Sequence, residues 1–297
     1  MTLACLFLGT VLSAQAETQK FTFGVMGDSE NFDPSSNSGN INKALTKMKK
    51  AKAKFVVGMG DIGKSCAGDS ACKTHFTNWK ELVKTKFSKS YLTMGEKDRT
   101  DSAADDAWKE IFDFPDNADS SDDEELYYSF NYGNTHFVVL NTESPEEHSI
   151  SKDQREWLEE DLNNNSKENT FVFLHEPAWP TNSKVGKSLD KNETERDRLW
   201  NIFSDYKVSA VFSGHEHLYT RKKITVDLLP GVKNEVYQII VGNLDSDKIA
   251  DNPKAGMSDY YSRKNGYALV RVDKKKITVS YYTVKGKILD KFSFSSK

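Results

Sequence analysis

Two apolar stretches that each stop at histidine, Phe171-Val172-Phe173-Leu174-His175 and Val211-Phe212-Ser213-Gly214-His215-Glu216-His217, decide how the rest of the chain is read. Continuous apolar runs of this length read as buried strands, and ligands of open α/β sheets bind just beyond the carboxyl ends of such strands. Both runs therefore deliver imidazoles to the sheet edge where chemistry is done. Gly214 allows the backbone a sharp turn. His215 and His217, two positions apart, can serve two neighbouring metal ions, or one ion and one substrate.

Working outward, the other apolar runs stop at carboxylates. Phe21-Thr22-Phe23-Gly24-Val25-Met26 leads into Gly27-Asp28-Ser29-Glu30, Phe55-Val56-Val57-Gly58-Met59 into Gly60-Asp61, and the run 90–94 into Gly95-Glu96-Lys97-Asp98. Helices are expected over 40–52, with Ile41, Leu45 and Met48 on one face, and over 74–87 and 103–112, so that strands and helices alternate as in a parallel or mixed sheet. A hairpin over 126–132 and 135–140 turns at Gly133-Asn134. Ser151 with Gln154 is a capping-box pattern opening a helix whose apolar face is Trp157, Leu158 and Leu162. A charged helix over 190–206 precedes the His215 strand. Segments 237–241, 267–272, 277–282 and 288–294 read as a second, mostly antiparallel sheet packed on the first.

The 297 residues are 37% hydrophobic and 29% charged, with a net charge of −3. Such a chain buries a substantial core and lacks the overall basic field of a general nucleic-acid or anionic-membrane binder. The apolar run 3–11, closed by Ala14-Gln15-Ala16, reads as a signal peptide over residues 1–16, leaving 17–297 as one domain of an exported, secreted protein. No later run is long enough to span a membrane. Cys66 and Cys72 share a polar loop, and an even pair in an exported chain suggests a disulfide, two free thiols being the alternative.

Collected, the residues that follow the apolar runs are Asp28, Glu30, Asp61, Glu96, Asp98, His175, His215 and His217. Mixed carboxylate and imidazole donors suit divalent ions such as Mn²⁺, Fe²⁺ or Zn²⁺. A carboxylate bridging two ions ~3.5–4 Å apart suits in-line displacement at phosphorus. A single acidic residue at a strand end is commonly a helix cap; the joint pattern is not so explained.

The motif order resembles the calcineurin-like metallophosphoesterase superfamily, whose pattern is D-x-H, G-D, G-N-H-[DE], a lone H and G-H-x-H. Here Gly27-Asp28-Ser29-Glu30, Gly60-Asp61, Gly95-Glu96-Lys97-Asp98, His175 and Gly214-His215-Glu216-His217 stand at those places. Stretches such as His175-Glu176-Pro177 and His217-Leu218-Tyr219-Thr220-Arg221 look most like the secreted acid-phosphatase branch, near the purple acid phosphatases. The resemblance implies a four-layer α/β/β/α sandwich of two mixed sheets flanked by helices. It also implies phosphoric ester hydrolysis on a small phosphorylated substrate, with a bridging hydroxide of a dinuclear centre attacking phosphorus. Asp61 would bridge the metals, Asp28 and His217 would bind the first ion, and His175 and His215 the second. Asp98 would join the catalytic set at the third motif.

Three positions depart from that pattern. Glu30 and Glu96 replace a histidine and an asparagine and remain competent ligands. Lys97 replaces the third-motif histidine; a lysine can stabilise phosphate charge but is a poor general acid unless its pKa is lowered. Lys64 stands where the purple enzymes carry a tyrosine, so no purple chromophore is expected. Asp28, Glu30, Asp61 and Glu96 would cancel the charge of two divalent ions, so Lys97, with Arg99 or Arg221, would have to attract phosphate. The competing expectation is a degenerate site, where Lys97 pairs with Glu96 and the protein binds a ligand or partner with one metal ion or none.

Overall fold

The structure, a computed structural model, describes residues 18–32, 39–64, 68–99, 101–120, 123, 125–246 and 248–297. The expected signal peptide and Cys66 lie outside the described residues.

The chain opens with β1 (Lys20–Met26), α1 (Asn40–Lys50), β2 (Val56–Gly58), α2 (Asp69–Lys84), β3 (Ser90–Leu92) and α3 (Ala103–Ile111). The hairpin β4 (Tyr128–Tyr132) and β5 (Thr135–Val139) follows, then α4 (Lys152–Asn164), β6 (Asn169–Phe173), α5 (Glu193–Asp205) and β7 (Ala210–Ser213). The last third adds β8 (Tyr219–Ile224), β9 (Val236–Val241), β10 (Tyr260–Ser262), β11 (Gly266–Asp273), β12 (Lys276–Thr283) and β13 (Ile288–Ser295). These strands form two mixed sheets, ordered β13-β12-β11-β1-β2-β3 and β10-β8-β9-β7-β6-β5-β4. The expected α/β/β/α sandwich is what forms.

Strand periodicity explains why the central runs are apolar throughout. Phe137, Phe171, Phe173 and Phe212 point from β5, β6 and β7 toward the first sheet and join its core with Phe23 and Phe55. The alternate residues Val138, Val172 and Val211 face the other way and pack under Trp157 and Leu158 of α4 and Leu199 and Phe203 of α5. Phe23 meets Phe137 edge-on at 5.3 Å and Phe171 at 5.4 Å between ring centroids, pinning sheet to sheet. On the outer face of the first sheet, Ile41, Leu45 and Met48 of α1, Phe76 and Trp79 of α2, and Trp108 of α3 close the core.

One expectation is corrected. The C-terminal third does not make a sheet of its own. β8, β9 and β10 extend the second sheet, with Ala210 beside Tyr237, while β11, β12 and β13 extend the first, with Lys20 beside Asp273. Two-sided burial leaves the edges of β1 and β7 in need of partners, and those partners come from far along the chain. The Ser151 hydroxyl does accept from the Gln154 amide, but the Gln154 side chain pairs with the Asn141 backbone instead of closing the box on Ser151.

Parallel registry sets the site. Met26 lies beside Gly58, and Phe173 beside Phe212, so Asp28 and Asp61 leave the first sheet at one level and His175 and His215 leave the second at one level.

Candidate metal centre

Each motif histidine is anchored through its outer nitrogen to a main-chain carbonyl. His175 Nδ1 donates to Met59 O at 2.6 Å, His215 Nε2 to Lys187 O at 2.8 Å and His217 Nδ1 to Lys248 O at 2.6 Å. A carbonyl only accepts, so each outer nitrogen carries a proton, and in His175 and His215, which burial keeps neutral, the inner nitrogen presents a lone pair. His175 Nε2 and His215 Nδ1 then face each other at 3.2 Å. Two lone pairs at that distance repel unless a cation or proton lies between them. Asp61 Oδ1 is 3.7 Å from His175 Nε2, and Glu96 Oε2 is 3.7 Å from His215 Nδ1. Burial holds both imidazoles below the ordinary histidine range, His215 well below it with the neighbouring His175 adding to the effect.

The second group of donors is Asp28, Glu30, Asp61 and His217, whose candidate ligand atoms all lie within 4.8 Å of one another. His217 Nε2 is 3.3 Å from Asp28 Oδ2 and 3.0 Å from Glu30 Oε1. Among the described residues Asp28 Oδ2, Asp61 Oδ2 and His217 Nε2 are buried without a hydrogen-bond partner. Orphaned buried oxygens are costly, and three polar atoms turned into one space answer to a bound cation. Burial raises Asp28 from its ordinary 3.8 to about 6 and Asp61 to about 7. Burial also opposes charge on His217 and Glu30, but their mutual attraction outweighs it, and Asp28 and Lys97 add to it, so His217 rises to about 10 and Glu30 falls to about 2. A proton on His217 and a metal ion serve the same need, positive charge among these oxygens.

The backbone at the site is unusual. Asp28, Asp61 and His215 have φ of 49°, 49° and 64°, the left-handed region that side chains other than glycine rarely adopt. The motif glycines serve space. A Cβ on Gly214 would lie 2.4 Å from Asp28 Oδ1 and 2.8 Å from Met59 O. One on Gly95 would lie 2.4 Å from Asp61 Oδ1. Gly214 was expected to supply turning freedom; the turn is made by His215, and Gly214 supplies clearance.

Lys97 Nζ binds Glu30, not Glu96, and its main-chain N–H donates to Asp61 Oδ1 at 2.9 Å. Burial opposes the Lys97 charge, but Glu30, Asp61 and Glu96 outweigh it and hold the ammonium above the ordinary lysine range. Glu96 is taken by Lys184, Nζ to Oε1 at 2.7 Å. The sequence reading missed Lys184; its only signal was a cation in the loop that follows His175. The three anchoring carbonyls were also missed, since main-chain groups carry no sequence signature.

Two of the expected site residues are held by the surrounding structure. Asp98 is buried and accepts main-chain N–H groups from Asp61 at 2.8 Å, Ile62 at 3.0 Å and Gly95 at 3.0 Å. It ties the second and third motif loops together through these three bonds. Arg221, expected to bind substrate, is engaged at 2.8 Å with Asp290 of β13 and lies over Phe292 at 4.8 Å, an inter-sheet contact. Arg99 likewise binds Asp105 at 2.9 Å. Cys72 is buried at the start of α2.

The fold, the motif order and the paired donor groups define a metallophosphoesterase. The chain belongs to the calcineurin-like phosphoesterase family, whose model matches residues 21–219. It is 28% identical over 190 residues to purple acid phosphatase 21 of Arabidopsis thaliana, a match covering 60% of this chain and 42% of that protein. It is 27% identical over 241 residues to the phosphoenolpyruvate phosphatase of Allium cepa, covering 75% and 45%. The purple acid phosphatase PPD1 of Lupinus luteus superposes with a TM-score of 0.76 at 14% identity, over 95% of this chain and 54% of that one. The chain thus matches less than half the length of these two curated relatives.

Proposed function

We propose that this protein is an exported, metal-dependent phosphatase that hydrolyses small phosphomonoesters at a two-ion site. The observation that carries the reading is that three histidines are each tied outward to a carbonyl and turn their inner nitrogens toward the carboxylates of Asp61, Glu96, Asp28 and Glu30, two of whose oxygens, on Asp28 and Asp61, are buried without a partner. Outer-shell anchoring of this kind is how proteins orient metal-binding imidazoles. His217, Asp28 and Glu30 would hold one ion, His175, His215 and Glu96 the other, with Asp61 between them. Bound there, divalent ions supply Lewis-acid chemistry, neutralising phosphoryl charge and acidifying water.

The charge balance favours substrate. Two divalent ions cancel Asp28, Glu30, Asp61 and Glu96, and Lys97 and Lys184 then remain as surplus cations on the substituted carboxylates. Phosphate would draw both ammoniums toward its oxygens. A 380 Å³ cavity lined by Glu30, Phe32, Ile62, His75 and Asn78 opens beside the first ion position and offers room for the alcohol. Export rests on the residue 1–16 signal and on a Cys66–Cys72 disulfide, which a disulfide-bonded Cys72 supports.

A second reading is favoured by the same two lysines. With Lys97 on Glu30 and Lys184 on Glu96, each substituted ligand already has a cation, as in a degenerate site that binds without turnover. Elemental analysis of the purified protein, with turnover of p-nitrophenyl phosphate for wild type and His217→Ala, separates the two. About two ions per chain, with turnover abolished in the variant, sustains the phosphatase. No transition metal after Mn²⁺ and Zn²⁺ reconstitution, and no turnover, establishes the degenerate reading.

A further inference from the structure

The net charge of −3 conceals a local concentration of lysine at the end of the first sheet opposite the metal centre. A cavity of about 790 Å³ lies where β3 begins, bounded by the ends of α1 and α2 and by the segment after α3. Lys49, Lys80, Lys84, Lys86 and Lys89 line it, with Asp113 as its only lining carboxylate, and Phe87, Phe112 and Phe114 form an apolar floor. Lys49 Nζ sits 5.4 Å above the Phe87 ring, and Lys80 Nζ is fixed on Ile111 O. Helix ends account for part of this: Lys49 and Lys84 stand in the last turns of α1 and α2, where cations are favoured. They do not account for Lys86 and Lys89, which follow α2 and have no carboxylate at ion-pair distance among the described residues. Lys84 reaches Glu81 at 3.5 Å and Asp113 lines the groove, so two carboxylates face five lysines, and an anion seated among them relieves the repulsion that remains.

We propose that this groove is a second anion site, independent of the metal centre, for a ligand that carries two or more clustered phosphate groups on a compact apolar body. Lysine ammoniums are point cations suited to phosphate oxygens, and no guanidinium lines the groove to select a planar carboxylate. The volume fits one substituted ring, whose apolar face would lie on the phenylalanine floor. The phosphates come from a soluble polyphosphorylated molecule or from the headgroup of an anionic lipid, and the test separates these sources.

Calorimetry of the full chain with inositol hexakisphosphate, and cosedimentation with phosphatidylcholine vesicles with and without phosphatidylinositol bisphosphate, read the site directly. Binding is expected to weaken at least about tenfold in the Lys86→Glu/Lys89→Glu variant and to fall steeply between about 50 and about 300 mM salt. His217→Ala is expected to bind as wild type does, which separates this groove from the metal centre. Binding of the soluble probe alone assigns a soluble ligand; binding only to phosphoinositide vesicles assigns a membrane headgroup. Equal binding by wild type and the double variant, binding lost in His217→Ala, or no binding to either probe at low salt overturns the proposal. The Lys86→Glu/Lys89→Glu comparison is repeated in the His217→Ala background, where the metal centre does not turn the probe over, so its outcome is independent of whether the protein is a phosphatase.

Discussion

Replacing Gly214 with alanine adds one methyl group at the point where two ligand-bearing loops meet. Its Cβ would stand 2.4 Å from Asp28 Oδ1, which needs about 1 Å of retreat to reach an ordinary 3.4 Å contact. Retreat in the other direction is blocked by Met59 O at 2.8 Å, and that carbonyl is the anchor of His175. The methyl therefore disturbs a donor to each proposed ion. Metal–ligand distances tolerate about 0.2 Å. Losing the support of a ligand typically costs 10–100-fold in affinity, and the upper figure, about 2.7 kcal/mol, is expected where two donors are affected. Overpacking lowers the metal-free stability as well, by about 1–3 kcal/mol, so the informative quantity is the metal-induced rise in Tm, not Tm itself. At about 2–4 °C per kcal/mol for a chain of this size, the rise with saturating Mn²⁺ in wild type should shrink by about 5–10 °C in Gly214→Ala. Differential scanning fluorimetry across a metal titration measures it. A folded Gly214→Ala protein with the wild-type metal-induced rise would refute the claim that Gly214 is there for clearance around ligands.

Asp98→Asn presents an amide N–H₂ to main-chain donors that now share carboxylate oxygens. A loss of about 1.5–3 kcal/mol is expected, seen as a lower urea midpoint at unchanged m-value. In chelated protein, Asp28 and Asp61 have folded pKa values near 6 and 7, above their ordinary 3.8. Groups raised in this way contribute stability that is full below about 4 and is lost as pH rises through 6 and 7. Chelated protein should thus lose Tm from pH 5 to 7.5, and added Mn²⁺ should reverse that slope because ionised carboxylates bind metal better. Phe137→Ala empties the middle of the inter-sheet stack and should cost about 3–5 kcal/mol in chemical denaturation. Lys184→Ala should raise KM for p-nitrophenyl phosphate more than it lowers kcat if Lys184 holds ground-state phosphate; a wild-type KM would show that its place on Glu96 has no bearing on substrate.

Much of the architecture was legible because burial writes itself into local pattern. The strands leading to His175 and His215 carry successive apolar residues, Phe171 to Leu174 and Ala210 to Phe212, because one face meets the other sheet and the alternate face meets α4 and α5. The positions of Asp28, Asp61, His175, His215 and His217 followed from strand ends alone, and the structure brings all of them together. The partners of β1 and β7 were not legible. Lys20 pairs with Asp273 across nearly the whole chain, and nothing local distinguishes a strand that joins one sheet from a strand that joins the other.

The same division holds at the site. Sequence alone determined the donor types, their order and the three substitutions at Glu30, Glu96 and Lys97. Only the tertiary structure decided which cation meets which carboxylate, so that Lys97 goes to Glu30 and Lys184 to Glu96. It also decided that Arg221 is turned to Asp290 and that each imidazole is locked by a distant carbonyl. A motif fixes what a residue can donate. The direction in which it donates depends on backbone atoms far off in the chain, and those are placed only when the two sheets close on their shared core.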